Sequence, residues 1–143
     1  MFDSIVLMPG FVRVDLTVLE AAAREFGCSV AVAASLSELA ACQVGKQTLA
    51  IIFHRGALGA GCSWTHAIRS LNRAMPGVRL IACHGYAERV DWTELSDAGA
   101  FHYLGLPLKA DEVRQSLGFI AEAEKRKAPG QVTRPNVMTR AAG

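Results

Sequence analysis

Short apolar runs alternate five times with longer segments in which apolar residues recur at helical spacing, and this alternation constrains the fold of the chain most strongly. Each run has the length of a single strand, and each intervening segment is long enough for a helix that crosses the sheet. Strands joined by such helices pair in parallel, with right-handed crossovers. The pattern is therefore that of an α/β protein with helices on both faces of a parallel sheet.

Turn and cap signals bound the individual elements. A helical pattern that starts near residue 14 stops at Gly27, and the second helix opens with Ser35 and Glu38 in the spacing of a capping box. Asp91 and Glu94 repeat that spacing before the fourth helix. We predict strands at residues 5–8, 29–33, 49–53, 78–83 and 101–104.

The chain has room for one domain. Its 143 residues suffice for a single sizeable core, and a hydrophobic content of 51% favours a packed globular interior over disorder. Beyond Lys127 the apolar period stops, and Pro129 and Pro135 appear among isolated basic residues. We therefore expect one folded domain at 1–127 and a flexible C-terminal tail or linker at 128–143.

Composition also limits the cellular setting. No apolar run approaches the roughly 20 residues of a membrane helix, and the N-terminus lacks the pattern of a secretion signal. The four cysteines include no C-x-x-C pair, so we expect buried thiols in a reducing cytoplasm. The formal net charge of +2 owes much to basic residues near the C-terminus. We expect the domain itself to contact neither nucleic acid nor membrane.

Two segments resemble the response-regulator receiver domains of two-component signalling. The stretch AGAFHYLGLPLKADEV at 98–113 is similar to the end of such a domain, with Tyr103 at the family's switch position. The stretch IACHGYAE at 81–88 is similar to the family's fourth strand and the following loop. The resemblance covers residues 4–126. It implies a flavodoxin-like (βα)5 three-layer sandwich with a parallel five-stranded sheet of order 2-1-3-4-5, and a role in phosphorelay signal transduction.

The family's phosphorylation pocket is degenerate in this chain. The acidic pair after the first strand is replaced, and with it the carboxylates that would hold Mg²⁺. The phosphoacceptor aspartate, the hydroxyl residue and the lysine are also replaced, so the chain resembles a pseudo-receiver that has no catalytic residues, no cofactor and no enzymatic activity. Pro107 is kept, and with it we expect a cis peptide. The degenerate positions are Met8, Pro9, Gly10, His54, His84 and Leu106.

The histidines of this pocket support an alternative function. His54 and His84 are expected to end neighbouring strands and to face each other, where two imidazoles can hold a transition metal or form a pH-sensitive pair. Neither His66 nor Cys83 is well placed to be a third metal ligand. The alternative is therefore a small-ligand or metal sensor that uses this pocket. Asp15 is expected to point to solvent and to leave the pocket unchanged.

The resemblance also implies where the protein makes contacts. The family commonly uses the face formed by its fourth helix, fifth strand and fifth helix to dimerise or to bind partners, and apolar anchors with a polar rim suit such a contact. We expect a cytoplasmic signalling module that contacts a protein partner or a second copy of itself, independently of aspartate phosphorylation. The interface candidates are Trp92, Leu95, Tyr103, Leu108, Val113 and Arg114.

Overall fold

Five parallel strands form the centre of the protein. The strands are β1 (Ser4–Leu7), β2 (Ser29–Val32), β3 (Thr48–His54), β4 (Arg79–His84) and β5 (His102–Gly105). They form one sheet in the order β2-β1-β3-β4-β5, in a computed structural model that describes residues 4–8, 11–42, 47–59, 61–85 and 88–126. The predicted fold class and strand order are confirmed.

Helices cover both faces of the sheet. They are α1 (Arg13–Glu25), α2 (Leu36–Cys42), α3 (Trp64–Ala74), α4 (Trp92–Ala98) and α5 (Ala110–Lys125), with a short 3-10 helix (Arg55–Leu58) after β3. α1 and α5 pack together on one face, and α2, α3 and α4 cover the other. This arrangement is the expected three-layer sandwich.

Where the predicted end of a strand differs from the observed one, the difference is one residue. At the carboxyl ends of β4 and β5 the difference has a clear cause. His84 and Gly105 are partners in the parallel ladder, although neither is an apolar residue. Backbone hydrogen bonds extend these strands beyond the apolar runs that mark them in the sequence.

Side chains of the sheet alternate between two cores. Ile52 and Cys83 belong to the core beneath α1 and α5, whereas Ile51, Phe53 and Ala82 belong to the core beneath α2, α3 and α4. The central strand β3 is buried on both faces as far as Phe53. This double burial explains why β3 appears in the sequence as an unbroken apolar run.

The start of α4 is capped by Asp91, as predicted, but Glu94 has a different partner from the expected one. Asp91 Oδ1 accepts the backbone N–H groups of Thr93 and Glu94, at 2.9 and 3.4 Å. The Glu94 carboxylate was expected to close a capping box, but it accepts a hydrogen bond from the Thr65 hydroxyl at 3.1 Å. This contact joins α4 to α3 and helps to place the face that α4 borders.

The five carboxyl ends of the parallel strands lie at one edge of the sheet, where ligand and signalling sites of such folds are found. Within the described ranges, no helix is long and apolar enough to cross a membrane. The tail predicted at 128–143 lies outside the described residues, so the domain boundary stays a prediction.

Candidate functional site

Three of the predicted pocket positions meet at the carboxyl edge of the sheet. β3 ends at His54 and β4 ends at His84. Leu106 follows β5, and its N–H donates to the His84 carbonyl oxygen at 2.9 Å. The Leu106–Pro107 peptide is cis, as the resemblance implied.

Of the three predicted pocket residues after β1, the structure describes Met8, which belongs to the core. Met8 is fully buried beneath α2, α3 and α4, and its N–H donates to the Ile52 carbonyl oxygen at 3.0 Å. Pro9 and Gly10 lie outside the described residues. Met8 therefore acts as a packing residue and presents no ligand to the carboxyl edge.

His54 lines a cavity of about 320 Å³ between the loops that follow β3, β4 and β5. Its ring packs edge-on against Phe11 at a centroid distance of 5.2 Å. Its Nε2 is buried and has no hydrogen-bond partner among the described residues. The cavity is lined by His54, Arg55, Gly56, Gly85, Glu88 and Leu106.

His84 lies on the other face of the sheet. The register pairs His54 with Cys83, so His84, one residue further along β4, projects from the opposite side of the pleat. Its Nδ1 lies 3.2 Å from the Gly85 carbonyl oxygen, and its ring lies 5.6 Å from that of Tyr103. The two imidazoles were expected to face each other, and this expectation is corrected, because a stagger of one residue between the strands reverses the face.

The described side chains around the cavity do not form a metal site. Among the described residues, no three or more His, Cys, Asp and Glu side chains are grouped closely enough to hold a metal ion. The alternative function is a metal or small-ligand sensor at His54 and His84. The structure gives these two histidines no shared site, because they lie on opposite faces of the sheet. That alternative stays an untested prediction.

An ion pair that the sequence analysis missed spans the cavity. Arg55 Nη2 lies 3.0 Å from Glu88 Oε2, and Glu88 Oε1 accepts the Gly85 N–H at 3.2 Å. The pair links the chain after β3 to the loop after β4, and it neutralises a carboxylate that lines the cavity. No sequence pattern marks it, because the two residues come from different loops.

Asp15 is buried, so its expected solvent-facing position is wrong. The residue is 3% exposed, and its Oδ1 accepts the Leu108 N–H at 2.9 Å. The bond ties α1 to the loop between β5 and α5. Sequence spacing does not reveal it, since the donor is a backbone group from the far end of the domain.

The thiols are mostly buried, as expected. Cys28 and Cys83 are buried and Cys62 is partly exposed, while the Cys42 side chain lies outside the described ones. Burial raises the pKa of Cys83, and the Asp15 carboxylate raises it further. A thiol held neutral in this way is neither a nucleophile nor a metal ligand at neutral pH.

Five aromatic rings lie around β5, the edge strand of the sheet. We call His84, Trp92, His102, Tyr103 and Phe119 the edge cluster. Ring centroids lie 5.1 Å apart for Trp92 and Tyr103, and 6.2 Å apart for His102 and Phe119. The side chains of His102 and Tyr103 project from opposite faces of β5. Their rings nevertheless lie 6.0 Å apart, because β5 is an edge strand and both side chains extend around it. With Tyr103 37% and Phe119 49% exposed, the cluster forms a surface that runs from α4 to α5.

Three of the six interface candidates belong to the core instead. Leu95, Leu108 and Val113 are between 1% and 5% exposed, so they are not available for contact with another molecule. The correction has a simple reason. Apolar residues at helical spacing, such as Leu95 and Val113, mark the side of a helix that faces its own core, and Leu108 enters the core from the loop before α5.

The remaining candidates border or form the surface. Trp92 is partly buried within the edge cluster, whereas Arg114 turns towards α1, where its Nη1 lies 3.9 Å from Glu25 Oε2. The sequence analysis missed Phe119 and His102 as members of the surface. Phe119 carried a usable signal, because an aromatic residue off the apolar stripe of an amphipathic helix is expected to be exposed.

His102 is attached to α5. Its Nδ1 lies 2.5 Å from the Ser116 Oγ, and Ser116 is fully buried. Burial lowers the pKa of His102, and the Glu112 carboxylate opposes this effect by raising it. The neutral imidazole is therefore favoured in the folded protein.

Comparisons with known proteins agree with the fold. No protein-family model and no curated protein sequence matches this chain. A two-component response regulator from Clostridium difficile is 17% identical with a TM-score of 0.65, over 85% of this chain and 98% of that one. A response regulator from Thermotoga maritima is 15% identical with a TM-score of 0.66, over 85% and 99%. The beryllofluoride-activated NtrC4 receiver domain dimer is 16% identical with a TM-score of 0.66, over 86% and 98%. The chain thus has the fold of response-regulator receiver domains.

Proposed function

We propose that this chain is a receiver-like signalling module of the cytoplasm that acts through protein contacts, independently of aspartate phosphorylation and without catalysis. One observation carries the proposal. The residue that ends β3 is His54, and the residue that follows β5 is Leu106. An imidazole and an aliphatic side chain supply neither the carboxylate that accepts a phosphoryl group nor the ammonium that neutralises it.

Bonds within the chain already hold the loops at this edge. Arg55 pairs with Glu88 across the cavity, and the Leu106 N–H binds the His84 carbonyl oxygen. The Leu108 N–H binds Asp15. These contacts support a module whose loops are positioned without a phosphoryl group.

The contact surface that we propose is the edge cluster, and the occupant is a second copy of the chain. The start of α5 and the residue before it present both signs of charge, with Lys109 beside the exposed Asp111 and Glu112. A surface with both signs suits a two-fold contact, in which each patch meets its own copy. The similarity to a receiver domain that was solved as a dimer supports the same choice. A different protein partner on this surface is the second possibility.

Phosphorylation reagents are expected to leave the protein unchanged. Acetyl phosphate and beryllofluoride, each added with Mg²⁺, need carboxylates and a cationic side chain to be retained. The pocket positions of this chain supply neither. Intact-mass spectrometry and amide NMR spectra measure the outcome, with a receiver domain that has the complete acidic pocket as the positive control. A phosphoryl adduct on this chain, or shifts of the His54 and Leu106 amides, would contradict phosphorylation independence.

Tyr103→Ala is expected to weaken self-association by at least about fivefold, because an aromatic anchor at an interface centre commonly contributes more than about 1 kcal/mol. Sedimentation equilibrium at neutral pH gives the dissociation constant. Val14→Ala is the matched control, since it removes a 62% exposed apolar side chain from α1 and is expected to change nothing.

Two outcomes would count against this assignment of the surface. Equal weakening by Tyr103→Ala and Val14→Ala would place the contact elsewhere. A chain that stays monomeric at high concentration would exclude the second copy. Affinity capture with the Tyr103→Ala protein as the negative control would then test the other kind of partner.

A further inference from the structure

His102 joins the two halves of the edge cluster. α4 packs mainly on α3, and α5 packs mainly on α1, on opposite faces of the sheet. The His102 ring lies 6.4 Å from Trp92 of α4 and 6.2 Å from Phe119 of α5, and its Nδ1 bonds to Ser116 of α5. β4 places the apolar Ile81 beside it in the register. A change in the charge of this ring therefore acts on both helices at once.

The groups that face the His102 ring come from both helices and from β5 itself. They are the Ser116 hydroxyl and the Glu112 carboxylate from α5, the Trp92 indole from α4 and the Tyr103 phenol from its own strand. Glu112 is exposed, so water and salt screen its attraction for an imidazolium. Burial lowers the pKa of His102 more than Glu112 raises it.

We propose that His102 makes the edge cluster proton-sensitive: the neutral ring couples α4 to α5, and the imidazolium turns towards water and uncouples them. The biological consequence rests on the proposed function, because it is the contact with a second copy that weakens as the pH falls. In the neutral tautomer that carries its proton on Nε2, Nδ1 accepts from the Ser116 hydroxyl, and protonation converts Nδ1 into a donor, so the hydroxyl has to reverse its role. Protonation also places a positive charge on a ring that is partly buried between Trp92 and Phe119.

Folding stability is expected to follow the same titration. The pKa of His102 is lower in the folded chain than in the unfolded chain, where an imidazole has a pKa of about 6.5. The stability from this site is therefore fully present above about pH 6.5 and is lost as the pH falls towards the folded pKa. His102→Asn is expected to flatten this part of the dependence of stability on pH.

An NMR titration of the full chain from about pH 8 to about pH 5 tests the inference. The His102 Hε1 resonance gives the protonation midpoint, and the Trp92 indole N–H, identified by its loss in Trp92→Phe, reports on α4. We expect a His102 midpoint below about 6.5 and a Trp92 shift with the same midpoint. In His102→Asn, whose amide can still bond to Ser116 but does not titrate, the Trp92 shift is expected to disappear.

His84→Gln is the matched control, because His84 contacts the cluster through Tyr103 without touching α5 in the described contacts. The Trp92 shift is expected to persist in it. A Trp92 resonance that stays fixed while His102 titrates would overturn the proposal, and the wild-type chain alone decides this. A Trp92 shift that survives in His102→Asn would also overturn it.

Sedimentation of the same samples separates this inference from the proposed function. A dimer with a fixed Trp92 resonance would keep the contact surface and reject proton sensitivity. A monomer in which Trp92 follows His102 would keep proton sensitivity and reject the second copy. The two proposals therefore fail independently.

Discussion

Replacing Asp15 with alanine is expected to lower the free energy of unfolding by about 2–3 kcal/mol, because it removes a charged hydrogen bond and leaves a buried N–H without an acceptor. Asp15 is 3% exposed, and its Oδ1 accepts the Leu108 N–H at 2.9 Å. The orphaned donor would belong to the loop between β5 and α5, beside the cavity at the carboxyl edge. Urea unfolding monitored by circular dichroism measures the loss.

Asp15→Asn is the matched control. Its amide oxygen can still accept the Leu108 N–H, so we expect it to lose clearly less stability than Asp15→Ala. The difference in unfolding free energy between the two variants gives the contribution of the acceptor oxygen, separately from that of the side-chain volume. Equal losses, or no loss in Asp15→Ala, would mean that the bond does not anchor the loop.

Gly99→Ala is expected to destabilise the fold by about 2–3 kcal/mol, for two separate reasons. Gly99 ends α4 with φ at +120°, where an L-residue is strained. An added Cβ would also collide with the Asn72 Nδ2, which donates to the Ala98 carbonyl oxygen at 3.3 Å. The substitution therefore strains the turn and breaks the bond between α3 and the end of α4. Thermal and urea unfolding measure the sum.

Gly77→Ala separates these two contributions. Gly77 also has a positive φ, at +85°, but an added Cβ there would meet no atom within 4 Å. We expect it to lose only the backbone part, about 1 kcal/mol. The Asn72→Ala background should reduce the cost of Gly99→Ala, since the collision is then absent. Equal costs at Gly99 and Gly77 would contradict the packing contribution.

Both substitutions act on the supports of the proposed contact surface. Gly99 ends α4, which carries Trp92, and Asp15 holds the chain that leads from β5 into α5. Mild destabilising variants at these positions are therefore expected to weaken the dimer contact as well, although neither residue belongs to the edge cluster. Tyr103→Ala separates a direct effect from this indirect one, because Tyr103 is 37% exposed and lies outside both cores.

Local patterns in the sequence determined most of the fold. The apolar runs placed all five strands, and for β1 and β3 the reason is burial on both faces, which needs unbroken apolar stretches. Glycine at position 27 and aspartate at position 91 marked a helix end and a helix start, since both depend on groups within one turn. The residue types at His54 and Leu106 are likewise sequence facts, and the proposal of phosphorylation independence rests on them.

Only the tertiary structure decided which side chains meet. The stagger between β3 and β4 separates His54 from His84, and a one-residue stagger reverses every side chain of a strand. Asp15 is buried because its partner comes from the far end of the domain, and Leu95 and Val113 lie inside because apolar periodicity marks the inner side of a helix. The edge cluster exists because residues from opposite faces of β5 extend around an edge strand, and the position of a strand at the edge is a property of the whole sheet.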